Sequence, residues 1–278
     1  ILYISKRGIV MLKKFKEIKE TYRETKKSTI MVYVILRALV IISMIRQIIL
    51  GEISNAALCL LSLILFTVPF WIQEKFKITL PSVLEIIILC FIFSAEILGE
   101  INNFYIVIPY WDTILHTLNG FLAAGIGFSL VDLLNENISS IKLSPIFIVI
   151  VSFCFSMTIG VLWEFFEYGA DNILKTDMQK DSIVQNISTV TLDKTKSNKA
   201  IGINNIKYTV IYSEDNEGKM NETIIPNGYL DIGINDTMKD LMVNFIGAIC
   251  FSVFGYLYII NRGKYHFVNN FIARKISN

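Results

Sequence analysis

The sequence predicts an all-α membrane protein, a six-transmembrane-helix bundle with a small β-containing extracytoplasmic loop. Three observations support this fold class. The chain has 278 residues, is 53% hydrophobic and has a mean hydropathy of +0.54, whereas soluble domains are about 45–50% apolar even when glycine is counted. The apolar residues are concentrated in six runs, each close to the ~20 residues that cross a bilayer. Basic residues mark alternate connections between these runs.

Residues 1–28 form a basic segment with nine Lys or Arg before the first run. We expect this segment to lie on anionic lipid at the cytoplasmic face. No short apolar region with a small-residue cleavage site follows it, so it is not a removable signal peptide. Met11 begins the stretch Met-Leu-Lys-Lys, and residues 1–10 are therefore expected to be an upstream extension.

The six runs are predicted to be transmembrane helices. They lie at residues 29–50, 55–73, 82–99, 112–134, 145–168 and 239–260. This divides the chain into spans one to five within residues 29–171, an extracytoplasmic loop at 172–238, the sixth span, and a basic cytoplasmic tail at 261–278.

The orientation follows from the short connections. Lys or Arg occur at 74–81, at 135–144 and in the tail, whereas 51–54 and 100–111 carry none. Cytoplasmic loops are enriched in Lys and Arg, so both termini are predicted to be cytoplasmic. The long 172–238 segment lies outside, because long loops are largely exempt from the rule. Its β-branched stretches at 183–191, 206–211 and 223–225 predict a small β-hairpin cap.

Polar stripes mark the outer ends of the last three spans. Trp111–Gly120 places Asp112 and His116 four residues apart, and residues at that spacing share one face of a helix. The end of the fifth span and the start of the sixth carry acids at spacings of three and four. These are Glu164, Glu167 and Asp171, and then Asp236 and Asp240 followed by Asn244. We expect the three stripes to meet in one layer that faces outside.

Helix capping is the alternative for Asp112 and Asp236, because Asp is a favoured N-cap residue and suits the positive end of the helix dipole. Capping does not explain His116 or Asp240, which lie one turn further in. A single His on such a helix is more often a packing residue than a ligand. The Asp four residues before it favours a functional pair, because a carboxylate orients an imidazole and raises its basicity.

The acids in this layer outnumber the nearby cations, which are Arg46, Lys239 and a protonated His116. The excess requires protonated acids, a metal ion or a cationic ligand. We favour a divalent metal ion, because clustered carboxylates with one His form the ligand set of Mg²⁺, Mn²⁺, Fe²⁺ or Zn²⁺. The predicted ligand and acid–base set is Asp112, His116, Glu164, Glu167, Asp236 and Asp240. His116 and Glu164 are the predicted proton-transfer groups, since a metal site needs a base to activate water.

Two further charge pairs are predicted to tie helices together. Arg37 lies at the depth of Glu85 or Asp132, and Arg46 lies at the depth of Glu96. Buried opposite charges at matching depth are most simply structural ion pairs. A substrate-binding role for Arg46 and Glu96 is the alternative, because ionisable residues within a membrane are often functional.

Composition excludes other classes of site. The net charge of +2 is too small to indicate nucleic-acid binding. The four cysteines fall singly within apolar runs, which is typical of packing residues rather than of disulfides or zinc ligands.

The pattern Trp111-Asp112…His116…Gly120, then Trp163-Glu164…Glu167…Asp171, then Asp236-Thr237…Asp240…Gly247 resembles the YjdF-like family of bacterial inner-membrane proteins. The resemblance covers roughly residues 80–260. It implies the fold and a location in the bacterial cytoplasmic membrane, and it names no substrate.

Three functions remain open from the sequence. The first is divalent-metal-dependent chemistry or binding on a lipid or envelope substrate, at a site that faces outside. The second is transport of a cation or of a proton-coupled solute through the acidic pocket. The third is a non-catalytic membrane protein whose cap binds another envelope protein. The polar groups thin out toward the cytoplasmic half, which favours the first function over transport.

Overall fold

Six helices of the computed structural model are long and apolar enough to cross a membrane. The structure describes residues 27–137, 142–261 and 265–275. Small antiparallel sheets follow the fifth spanning helix, so the predicted fold class is confirmed. Residues 1–26 of the predicted basic segment and residues 262–264 and 276–278 of the predicted tail lie outside the described residues.

The first three spans contain two departures from a straight α-helix. Helix α1 covers Lys27–Leu50, and the second span is divided into α2 (Ile53–Leu65) and α3 (Val68–Phe76). Pro69 lies in the first turn of α3, and a proline there interrupts the ladder of backbone hydrogen bonds. Strand β1 (Ile78–Thr79) leads to α4 (Ser82–Ile92), which continues as a π-helix over Phe93–Ile101.

The last three spans are α6 (Trp111–Asn137), α7 (Pro145–Leu174) and α8 (Ile234–Ile260), after the short helix α5 (Phe104–Val107). Helix α7 extends six residues past its predicted end at residue 168, and α8 begins five residues before its predicted start at residue 239. Hydropathy marks the part of a helix that lies in hydrocarbon, whereas a helix can continue into the polar interface.

The residues form two compact units. One contains the described residues up to Gly160 together with those from Val243 onward, and the other is Val161–Met242. The first unit has two apolar cores. One core is centred on Val40, Cys59, Phe66, Leu89 and Ile97. The other joins α6, the first half of α7, α8 and the chain after α8, and contains Ala124, Phe128, Ile148, Ala248, Phe251, Val268 and Ile272.

Helices α6 and α8 approach closely at two glycines. A Cβ on Gly120 would overlap the carbonyl oxygen of Asn244, and a Cβ on Gly247 would overlap the carbonyl oxygen of Thr117. Helix α7 joins this contact through serine, because the Ser156 hydroxyl donates to the Gly120 carbonyl at 2.7 Å. The small residues therefore set the spacing of the helices that carry the candidate site.

Gly247→Ala is expected to lower the thermal stability of the purified protein by several degrees, because its methyl group must push α8 away from Thr117. The matched control is Gly169→Ala in α7, where a Cβ would meet nothing within 4 Å. Alanine is the better helix former by up to about 1 kcal/mol, so the control should be neutral or stabilising. Melting in detergent, followed by size-exclusion chromatography, measures both variants. Equal melting temperatures for the two would contradict the close approach.

The chain after α8 packs against the bundle rather than extending freely. Val268, Ile272 and Ala273 are buried. The backbone N–H of Ala273 donates to the Ser129 hydroxyl of α6 at 3.1 Å. Strand β8 (Arg274–Lys275) pairs with β1 in an antiparallel ladder. These contacts attach the segment after α8 to helix α6 and to the loop between the second and third spans.

The second unit contains the β-structure. Strand β2 (Ser182–Val184) pairs with β7 (Tyr229–Asp231), and β3 (Ile187–Thr189) pairs with β4 (Ile201–Ile203). Strands β5 (Tyr208–Glu214) and β6 (Met220–Pro226) form the longest hairpin, with seven pairs in register.

Asp193 organises the turn between β3 and β4. Its carboxylate accepts hydrogen bonds from the hydroxyl and backbone N–H of Thr195 and from the backbone N–H groups of Ser197 and Lys199. The Thr195 hydroxyl and then the N–H of Lys199 contribute most to holding the pKa of Asp193 well below its usual range. The turn is therefore built around an ionised carboxylate.

Candidate functional site

Asp112 and His116 lie in close contact on the first two turns of α6. The distance from His116 Nε2 to Asp112 Oδ1 is 3.3 Å. Asp112 lies in the first turn of the helix, where the positive end of the dipole stabilises a carboxylate. The His116 side chain is buried. The two side chains therefore lie together, as their spacing in the sequence predicts, and their functional role stays a prediction.

A polar contact between α6 and α8 lies next to this pair. The Asn119 side-chain amide donates to Asn244 Oδ1 at 3.1 Å, and the Asn244 amide lies 3.7 Å from the sulfur of Met157. Asn244 is 1% exposed. A Cβ on Gly160 of α7 would overlap the Asn244 side chain. One buried asparagine therefore contacts all three helices.

The acids at the end of α7 point away from its exposed face. Glu164 and Glu167 are 4% and 7% exposed, whereas Phe165 and Phe166 between them are 65% and 52% exposed. The Trp163 indole N–H donates to Glu167 Oε1 at 2.7 Å. The sequence pattern placed these two acids on one face, and the exposure pattern agrees with that placement.

Asp171 and Asp236 lie just outside the predicted spans, and their carboxylates accept hydrogen bonds from nearby residues. Asp171 accepts hydrogen bonds from the Thr176 hydroxyl at 2.7 Å and from the backbone N–H groups of Met178 and Gln179 at 2.7 and 2.8 Å. Asp236 accepts the backbone N–H of Lys180 at 2.9 Å. Both carboxylates thus have structural roles where α7 ends and α8 begins.

Asp240 lies in the second turn of α8 and is 1% exposed. The Lys239 ammonium lies 3.5 Å from Asp240 Oδ1 and 3.2 Å from Asp236 Oδ1. Lys239 therefore bridges two members of the predicted ligand set. The sequence analysis counted Lys239 among the nearby cations. It did not predict the amide pair of Asn119 and Asn244, although Asn119 lies seven residues after Asp112 and Asn244 lies four residues after Asp240.

The two predicted ion pairs are not formed between the described residues. Arg37 donates to the backbone carbonyl of Leu63 at 3.3 Å and lies over the ring of Tyr33. Glu85 shares a side-chain hydrogen bond with Gln73. A matching depth in the membrane was the basis of the prediction, and depth alone does not fix which face of a helix a residue occupies.

Arg46 and Glu96 are the second of these pairs. Arg46 is exposed on α1, whereas Glu96 is buried in the π-helix. The carbonyl of Ser94, which also lies in the π-helix, accepts the Trp111 indole N–H at 3.3 Å. This bond helps to fix the start of α6, where Asp112 follows directly.

Comparison with known proteins gives the family. The model of DUF2238, described as a "Predicted membrane protein" family, matches residues 29–261, which is more than four fifths of the chain. The match runs from the start of the first spanning helix to the end of the sixth. No curated protein and no solved structure matches the chain. The six apolar helices and this match together identify the chain as a polytopic membrane protein that belongs to the DUF2238 family.

Proposed function

We propose that Asp112, His116 and Asp240 bind a divalent metal ion, which acts on a lipid or envelope substrate at the outer face of the bacterial cytoplasmic membrane. The orientation rests on the distribution of Lys and Arg among the short connections. The single observation that carries the proposal is the contact layer formed by Gly120, Gly160 and Asn244.

This layer fixes the helical register of α6, α7 and α8. Asn244 meets Gly120 through its backbone and Gly160 through its side chain. Residues four apart lie on the same face of a helix, one turn along. One turn outward from the layer, these faces carry His116 on α6, Glu164 on α7 and Asp240 on α8. All three side chains are buried, and burying a charged group is costly unless the group is paired or coordinates a metal ion.

The chemistry of the donors suits a transition metal. A tetrahedral zinc ion holds its ligand atoms at about 2.0–2.1 Å, which places two of them about 3.3 Å apart. The separation of 3.3 Å between His116 and Asp112 therefore fits two ligands of one ion as well as it fits an ion pair. Imidazole favours Zn²⁺ or Fe²⁺ over Mg²⁺ or Ca²⁺. Three protein ligands leave a position for water or substrate.

Glu164 is proposed as the general base. A bound metal ion would supply Lewis acidity that makes a water molecule more acidic, and Glu164 would be the group that accepts the proton. A buried carboxylate close to a cation is suited to that role. His116 is assigned to the metal, because a nitrogen that coordinates an ion cannot also accept a proton. Glu167 and Asp236 are given no ligand role, since Glu167 accepts the Trp163 N–H and Asp236 accepts the Lys180 N–H.

A membrane-borne substrate is supported by the surroundings of Glu164. Phe165, Phe166 and Tyr168 expose more than half of their surface on the same turns of α7, as aromatic residues at a membrane interface do. Inward of Asn244, the interface of α6 and α8 is filled by Phe128 and Phe251. Apolar packing there supports a site that opens on one face rather than a route across the bundle.

The test is metal binding by the full-length protein in detergent, after treatment with a chelator and dialysis. Titration calorimetry with Zn²⁺ and with Mn²⁺ should give one ion per chain, and Mg²⁺ should bind more weakly than either. Mass spectrometry should then detect more retained lipid or envelope precursor in metal-loaded protein than in chelated protein. Heat changes no larger than those of detergent buffer would overturn the metal site. Equal lipid retention with and without metal would overturn the substrate class.

A further inference from the structure

Lys239 holds two carboxylates of the second unit at once. Its ammonium lies 3.2 Å from Asp236 Oδ1 and 3.5 Å from Asp240 Oδ1. The Lys239 side chain is 46% exposed, whereas that of Asp240 is 2% exposed. The cation therefore approaches the buried carboxylate from the solvent side, on a flexible stem that can move without repacking the core.

From this contact we propose that Lys239 is an internal counter-ion that competes with the metal for Asp240. This inference rests on the proposed function, because Asp240 is one of the three proposed ligands. A buried carboxylate is stabilised by a cation beside it. In the absence of metal, the ammonium supplies that positive charge.

A metal ion bound to Asp240 would add a second positive charge next to its carboxylate. A divalent ion on Asp240 and an ammonium within about 4 Å of the same carboxylate repel each other strongly at the edge of a low-dielectric interior. The ammonium then moves away from Asp240 and keeps its contact with Asp236. Asp236 is the closer of the two partners, and the backbone N–H of Lys180, which donates to the Asp236 carboxylate, holds it in place. Asp236 is thus a positioning residue for Lys239 rather than a ligand.

Two substitutions should shift metal affinity in opposite directions. Lys239→Met keeps the length and the apolar stem but removes the competitor, so Zn²⁺ should bind about 10-fold more tightly. Asp236→Asn removes the alternative partner, so the ammonium should stay on Asp240 and Zn²⁺ should bind several-fold more weakly.

The matched control is Lys180→Met, which removes the same charge from the same unit. The Lys180 ammonium contacts Asp177, and the backbone N–H that Asp236 accepts remains in this variant. Zn²⁺ titration of the full-length wild type and of the three variants, at two salt concentrations, separates competition on Asp240 from a general charge effect. The expected result is a tenfold gain in affinity for Lys239→Met and no change for Lys180→Met.

Either of two results would overturn the competition. An affinity unchanged in Lys239→Met, with wild type still binding one ion, would remove Lys239 as a competitor and leave the metal site intact. Equal gains in Lys239→Met and Lys180→Met, both abolished by salt, would show a general surface charge instead. A wild type that binds no ion is a different outcome, because it removes the proposed function and the competition with it.

Discussion

His116→Ala is expected to abolish metal retention while the protein still inserts into the membrane. Removing a residue that only orients a metal ligand lowers metal affinity by about 10- to 100-fold. Removing a ligand itself should therefore lower metal affinity by at least about 100-fold. His116 is the only nitrogen donor in the proposed set, and its removal should most strongly reduce affinity for Zn²⁺, which favours imidazole. Elemental analysis of purified wild type and variant, with calorimetric titration, measures the loss.

The matched control for His116 is Glu167→Gln. Glu167 belongs to the sequence-predicted ligand set and is as deeply buried as His116, but its carboxylate accepts the Trp163 indole N–H. Glutamine keeps an oxygen that can accept this bond, so metal content should stay at the wild-type level. A metal content unchanged in His116→Ala would exclude the proposed site. A loss in both variants, with both proteins folded, would return Glu167 to the ligand set.

The number and position of the spanning helices could be predicted because hydropathy responds directly to the hydrocarbon. The π-helix at Phe93–Ile101 could not be predicted, since its shifted hydrogen-bond ladder leaves no mark in composition. The helical ends near Asp171 and Asp236 also escaped prediction. Polar residues there resemble a loop, and only their hydrogen bonds to Met178, Gln179 and Lys180 show how the helix ends are held.

Part of the candidate site was predictable because helical periodicity fixes which side chains share one face of a helix. A spacing of four places Asp112 beside His116 wherever the helix packs, so the pair could be derived from the sequence alone. The roles of Glu167 and Asp236 depend on Trp163 and on the backbone of Lys180, which no periodicity reveals. The pairs proposed for Arg37 and Arg46 failed because depth along the membrane is one coordinate, whereas an ion pair also needs the rotation of each helix.

The tail after α8 packs in a way that its charge does not predict. Its Lys and Arg indicated a basic cytoplasmic tail, but Val268 and Ile272 are four residues apart and both are buried. That spacing was present in the sequence, next to Phe267 and Phe271. A count of charges responds to the basic residues alone, whereas a search for apolar pairs four apart would have predicted a docked segment.

Val268→Asp is therefore expected to release the tail and to destabilise the protein by several kcal/mol. Val268 is 0% exposed and belongs to the core of Phe128, Ile148 and Phe251, where an unpaired carboxylate is costly. For a protein of this size, each kcal/mol corresponds to about 2–4 °C in melting temperature, so a fall of about 10 °C is expected. Asn270→Asp is the matched control, because it adds the same charge two residues away at an exposed position.

Release of the tail can be separated from global unfolding by labelling. Ala273→Cys places a thiol at a site that is 3% exposed, where the backbone N–H donates to Ser129. A polar maleimide applied to membranes should label this thiol slowly in the wild-type background and rapidly with Val268→Asp. The four native cysteines lie within spanning helices, where we expect lipid to shield them from a polar reagent. Rapid labelling in both backgrounds would show that the tail does not dock. Slow labelling in both would show that docking does not depend on Val268, and the segment would then be held mainly by the Ser129 bonds and by the pairing of β8 with β1.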